Sequence, residues 1–165
     1  MKKCFLVLLL FMLAGCGYKL GGVVNNPVDG KTVAVDMFAN RTYQANVEAF
    51  LRQSLVSELA RRNADIVNDG KADMKLSGEI ENITIDAVAY SAQDTAAMYR
   101  VTMTVRAELS DQNSHKSTWK GRETLTQEYP AMADLSLQRN AKDAALEALC
   151  KSMAEALVLK LNALF

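Results

Sequence analysis

The chain has 165 residues, 50% of them hydrophobic, with 19 basic and 19 acidic side chains and a single histidine, and is formally neutral at pH 7. A neutral chain lacks the cationic surplus that holds polyanionic nucleic acid, although a local basic face stays open to it. One histidine and three scattered cysteines, at positions 4, 16 and 150, provide neither a metal-ligand spacing nor a disulfide framework.

Met1-Lys2-Lys3 leads into an apolar run from Cys4 to Leu13. That run is too short for a membrane-spanning helix, which takes roughly 20 residues. A basic start, a short apolar stretch and small residues after it describe a secretory signal peptide. Leu13-Ala14-Gly15-Cys16 resembles the bacterial lipobox, in which the cysteine thiol receives a diacylglycerol before cleavage just ahead of it. The expected processing removes residues 1–15 and leaves lipidated Cys16 as the first residue. No cofactor is expected beyond this covalent lipid. Multiple acyl chains hold a protein persistently at a bilayer. Gly17 stands where, by resemblance, an aspartate retains lipoproteins in the inner membrane. The expected location is therefore the periplasmic side of the outer membrane, lipid-anchored.

Residues 16–30 contain four glycines, two asparagines and Pro27, and read as the lipidated N-terminus and a tether. Residues 31–165 read as a single domain by length. Without a disulfide that domain stands on its core alone, and Cys150 is expected to be a buried small hydrophobe.

Lys31–Phe38 is a β-branched apolar run of strand length. A helix is predicted from about Tyr43 to Arg62, with Asn40 or Thr42 as its N-cap. Val47, Phe50, Leu51, Leu55 and Leu59 form its apolar stripe, with Arg52, Glu58 and Arg62 off it. Ala64–Gly70 reads as a short strand and turn. In the next strand Met74, Leu76, Gly78 and Ile80 share one phase, whereas Ile83 and Ile85 follow the other. A one-residue slip without a loop predicts a β-bulge near Glu81-Asn82. From Tyr99 to Leu109 the alternation is clean, with Val101, Met103, Val105 and Ala107 inward and Arg100, Thr102, Thr104, Arg106 and Glu108 outward. A hairpin turn over 110–115 returns the chain through Lys116–Tyr129, with Trp119, Gly121 and Leu125 inward and Lys116, Lys120 and Arg122 outward. A long helix is predicted from Asp134 to Leu164, its stripe formed by Leu146, Leu149, Cys150, Met153, Leu157, Leu161 and Leu164.

Adjacent antiparallel strands flanked by two amphipathic helices define an α+β two-layer sandwich. The expected sheet is mostly antiparallel, of four to five strands, with both helices on one face.

Catalytic patterns are scarce. His115 falls in a hairpin turn, Cys150 on an apolar stripe where a thiol is inert, and neither a Gly-rich phosphate loop nor a nucleophile elbow occurs. Glu79 and Glu81 share a strand face and read as solvated surface. The chemistry-bearing set is Arg100, Arg106, Lys120 and Arg122, which hairpin pairing places together. Guanidinium groups bind phosphate bidentately, so this face suits a phosphorylated glycolipid or an acidic protein surface.

The order of lipobox, Cys16-Gly17-Tyr18, the Phe38-x-Asn40-x-Thr42 turn, the Tyr99–Leu109 strand, Trp119-x-Gly121 and a terminal Ala-rich helix resembles the LptE family of outer-membrane lipopolysaccharide-assembly lipoproteins. The resemblance implies a non-enzymatic accessory subunit that plugs a large outer-membrane β-barrel translocon, LptD-like, and helps it assemble. It also implies lipopolysaccharide as a ligand, with Arg100, Arg106, Lys120 and Arg122 as candidate contacts. The stretch from Thr32 to Thr42 also resembles the first β-α unit of lipoproteins that activate peptidoglycan synthases or form secretion pores.

Overall fold

The computed structural model describes residues 30–68 and 70–162. The expected signal peptide, Cys16, Gly17, nearly all of the expected tether and Leu164 lie outside the described residues. The elements in chain order are β1 (Thr32–Val35), β2 (Ala39–Asn40), α1 (Val47–Arg61), β3 (Asp65–Ile66), β4 (Met74–Tyr90), β5 (Ala96–Asp111), β6 (Lys116–Pro130) and α2 (Leu135–Asn162). The sheet is open, ordered β3-β1-β4-β5-β6, with β2 pairing beside β1 on the same flank of β4. Strands β4, β5 and β6 form a long antiparallel meander, while β1, β2 and β3 pair in parallel. Helix α1 lies over the β1–β3 flank and α2 over β5 and β6, each against the other. This is the α+β two-layer sandwich expected, with β2 as a strand not foreseen.

The alternation places the core as predicted. Val101, Met103, Val105, Ala107 and Leu109 of β5 are buried, as are Leu146, Leu149, Cys150, Met153, Leu157 and Leu161 of α2. Burial pushes the Cys150 thiol up to about 12, and it donates weakly to the Val47 carbonyl at 3.8 Å. The bulge is present where the phase slips: Ile80 pairs with Val105 and Asn82 with Thr104, leaving Glu81 as the extra residue.

Three local expectations are corrected. The first helix begins at Val47, with Asn46 ahead of it in the left-handed region at φ 66°. Asn40 and Thr42 build the preceding loop instead. Asn40 Nδ2 donates to the Gln44 carbonyl and to Glu48, both at 2.7 Å, and its Oδ1 accepts from Thr42 N at 2.9 Å. Glu58 is buried, at 4% exposure, because Arg61 and Arg62 on the next turn clamp its carboxylate. The Lys31–Phe38 run breaks after Val35: four steps from Val35 to Ala39 face three from Leu76 to Glu79. The break turns Phe38 into the core.

Phe38 goes where Gly78 leaves room. A Cβ on Gly78 would sit 2.5 Å from Phe38 Cε1 and 2.2 Å from the Arg106 carbonyl oxygen. Gly78 pairs with Ala107, which pairs with Gly121, so a row of the smallest residues crosses three strands. At its far end the Trp119 ring covers Gly121, with Cζ2 2.2 Å from where a Cβ would stand. Two aromatic rings thus pack against the sheet at positions where glycine leaves no side chain to hold them off.

Asp73 locks β1 to β4. Its Oδ2 accepts from Thr32 N at 3.0 Å and Thr32 Oγ1 at 2.8 Å, and its own N–H donates back to Thr32 Oγ1 at 2.9 Å.

Gly78→Ala is expected to destabilise by about 2–3 kcal/mol and Gly121→Ala by about 1–2 kcal/mol, since backbone blocks the first Cβ and a movable ring the second. Urea unfolding measures both, and equal losses would contradict the ordering. The Thr32 backbone N–H and then its hydroxyl lower the Asp73 carboxyl below 3.8. A depressed folded value contributes stability that is present above the unfolded value and lost as pH falls through the folded one. Asp73→Asn should therefore be less stable at pH 7 and lose less than the wild type on acidification from pH 5 to 2, read by thermal melts.

Candidate polar binding face

Both helices cover the same side of the sheet, so the outer face of β4–β5–β6 has no layer over it among the described residues. Alternation gives this face its chemistry. Register pairs Arg100 with Glu128, Arg106 with Arg122, and Glu108 with Lys120, and on the other flank Arg106 with Glu79. Between the charged rows Thr84–Thr102–Thr126 and Asn82–Thr104–Thr124 run across the strands, and the hydroxyls of Thr104 and Thr124 are 3.0 Å apart.

The four cations singled out in the sequence all lie on this face, and each meets a carboxylate. Arg100 donates from Nε and Nη2 to Glu128 Oε1 at 3.1 and 2.7 Å. Lys120 Nζ is 3.3 Å from Glu108. Arg106 reaches Glu79 at 3.3 Å through Nη1 and Glu81 through Nη2. Arg122 Nε is 2.7 Å from Glu81 Oε2, an ion pair whose N–H does not aim at that oxygen. Arg41, 3.6 Å from Glu79, extends the chain of charges by one. The Ser117 hydroxyl first, then Lys120, holds the Glu108 carboxyl below its ordinary value.

Depth separates the two signs. The side chain of Glu81 is 12% exposed and that of Glu79 28%, whereas Arg106 and Arg122 are 61% and 68% exposed. In this central cluster the carboxylates lie below the guanidinium groups, whereas Arg100 and Glu128 are equally exposed, at 46% each. Each guanidinium has five donors and spends only one or two here, so donors remain for a ligand. Exposed pairs are worth only about 0.2–1 kcal/mol each, so an incoming phosphate can compete for the arginines cheaply. The bulge makes the central pairing possible: like charges directly opposite repel, and Glu81, the extra residue, sits between Arg106 and Arg122.

Sequence reasoning identified the cations and set Glu79 and Glu81 aside as solvated acids. The missed signal was register. A turn placed over 110–115 would pair Glu108 with Ser117 and Arg106 with Trp119. The turn instead spans 112–115, and a register shift between Leu109 and Ser110 sets Glu108 opposite Lys120 and Arg106 opposite Arg122. Sequence reasoning also missed an apolar end of the molecule, where Tyr43, Val88, Tyr90, Met132, Leu135 and Leu137 are exposed. Among the described residues no group of three or more His, Cys, Asp or Glu is arranged to hold a metal ion. No described helix is long and apolar enough to cross a membrane.

The family model described as LptE, Lipopolysaccharide-assembly, matches residues 30–161. Among solved structures, an uncharacterized lipoprotein B from Nitrosomonas europaea is similar with a TM-score of 0.60, 16% identity, and 90% of this chain and 92% of that one covered. A minor lipoprotein from Acinetobacter baumannii aligns with a TM-score of 0.56 at 15% identity, over 81% of this chain and 91% of its own. The rare lipoprotein B from Shewanella oneidensis gives 0.55 at 12% identity, over 80% and 93%. At these identities the likeness is one of fold. No curated protein matches the sequence.

Removing the carboxylate between the two arginines should expose their repulsion. Glu81→Gln is expected to cost about 1 kcal/mol at low ionic strength. The deficit should shrink at about 0.5 M salt, where screening shortens the reach of the charges. Urea unfolding at the two salt concentrations measures it, and a salt-independent loss would mean that packing around Glu81 dominates.

Proposed function

From the premise that the chain belongs to the LptE family of lipopolysaccharide-assembly lipoproteins of the cell envelope, we propose that it is a non-catalytic outer-membrane subunit, anchored through acylated Cys16 and tethered by residues 17–30. It assists assembly of an LptD-like β-barrel translocon, sits in that barrel as a plug, and contacts lipopolysaccharide on the way to the cell surface. The outer sheet face is the contact surface. Arg100, Arg106, Lys120 and Arg122 meet phosphate groups, and the threonine rows between them meet sugar hydroxyls.

The observation that carries this reading is the paired rows of cations and carboxylates on a sheet face that no layer covers among the described residues. A polar sheet face is compatible with a wet barrel lumen, where an apolar one would be costly. Preorganised guanidinium groups favour phosphate because their orientation is fixed before binding.

Arg100→Glu combined with Arg106→Glu is expected to weaken lipopolysaccharide binding by at least about tenfold, or 1.4 kcal/mol, while the circular dichroism spectrum stays native. Unchanged binding by the folded double variant would remove this face from the reading. Affinity purification of the wild type should bring down a β-barrel protein, and recovery of a peptidoglycan synthase in its place would refute the plug.

A further inference from the structure

Strand β4 is 17 residues long, yet its outer flank is paired only as far as Ile80. The last hydrogen bond there runs from Arg41 N to the Ile80 carbonyl at 3.0 Å. Beyond it the β2–α1 loop turns away, and among the described residues no strand lies beside Asn82–Tyr90 on the side remote from β5. Every second residue of this stretch therefore directs its N–H and C=O away from the sheet. An unpaired edge is a template for another extended chain.

The two long edges of the sheet are not alike. On β6 the inward-facing Glu123 sits on the helix side and pairs with Lys160 of α2. A charge turned inward on an edge strand discourages pairing. The free part of β4 has isoleucines at its inward positions, Ile83 and Ile85, and Asn82, Thr84 and Asp86 outward. Its flat portion ends at the register shifts between Ala87 and Tyr90. Six residues, 82–87, remain, spanning roughly 20 Å.

Side-chain chemistry on the two sides of this edge differs. Toward the helices, a cleft of about 340 Å³ is lined by Ile85, Tyr129 and Leu135 together with Gln44, Gln138, Arg139 and Lys142. On the outer side Asp86 stands opposite Arg100, whose guanidinium is engaged by Glu128, so Asp86 has no ion-pair partner among the described residues. A chain lying along the edge would place alternate side chains over the cleft and beside Asp86.

We propose that the β4 edge from Asn82 to Ala87 takes up an extended segment of a partner protein by strand addition, the segment's apolar side chains facing the cleft and a basic one facing Asp86. Arg139 and Lys142 in the cleft repel a lysine or arginine on that side, so the charge pattern selects which face of the incoming strand turns inward. This proposal concerns a protein contact and stands independently of lipopolysaccharide binding at the outer face.

The test uses the purified full chain in detergent and a capped nine-residue peptide. In the peptide, valine and isoleucine alternate with threonine, and one central lysine lies on the threonine face. Fluorescence anisotropy should show saturable binding, and hydrogen exchange should slow at alternate amides of 82–87. N-methylation of one alternate set of peptide amides should abolish binding, and methylation of the other set should leave it intact. Asp86→Lys should weaken binding by about tenfold, and a peptide with glutamate in place of lysine should restore it. Equal binding by an isomer with its apolar and polar residues segregated would overturn the proposal. So would insensitivity to N-methylation, absence of binding at about 1 mM, or concentration-dependent protection of 82–87 without peptide, which would make the occupant a second copy of this chain.

Discussion

The structure depends on a strip of sheet with almost no side chains. Gly78, Ala107 and Gly121 lie side by side on the inner face of β4, β5 and β6, and Phe38 and Trp119 occupy the space they leave. A ring packed against backbone gains dispersion contact that a side chain there would block. It also tolerates no register but one, because a shift of a single residue would put side chains under both rings and turn the inward set outward. The break between β1 and β2 follows from the same constraint: the extra residue between Val35 and Ala39 is what brings Phe38 over Gly78.

Once register is set on the inner face it is set on the outer one. The rows next to Gly78–Ala107–Gly121 are Glu79–Arg106–Arg122 and Ser77–Glu108–Lys120. The charge network that distinguishes the outer face is therefore a consequence of core packing, and the bulge at Glu81 completes it by moving a carboxylate between two arginines. The cost of that bulge is small, a local loss of pairing, and it changes the phase so that Ile83 and Ile85 still face inward. Packing, register and surface chemistry are here one constraint seen from two sides.

Sequence reasoning succeeded where periodicity governs and failed where tertiary contacts overrule it. The Tyr99–Leu109 alternation and the phase slip at Glu81 were legible because a pleated strand half-buried in a sandwich leaves a period-two record. Asn40 and Thr42 were misread as helix caps because a capping residue and a loop-building residue share the same short polar chemistry. Only Gln44 and Glu48, brought near by the fold, decide between the two. Glu58 was misread as surface because its burial depends on two arginines a turn away neutralising it. On the candidate face the arginines and lysine were legible from outward phase, but their partners were not, since ion pairing needs cross-strand register.

What the sequence determined by itself is the part set by local periodicity and composition: the class of fold, the strand and helix faces, the bulge, and the absence of a disulfide framework. These follow from backbone geometry, which repeats every 2 or 3.6 residues regardless of the neighbours. The tertiary structure alone decided that β1 breaks to seat Phe38, that Glu58 is inside, that each cation of the outer face meets a carboxylate, and that among the described residues half of β4 has an open edge. Each of these depends on which distant segments meet, and the meeting is arranged by the glycine row under two aromatic rings.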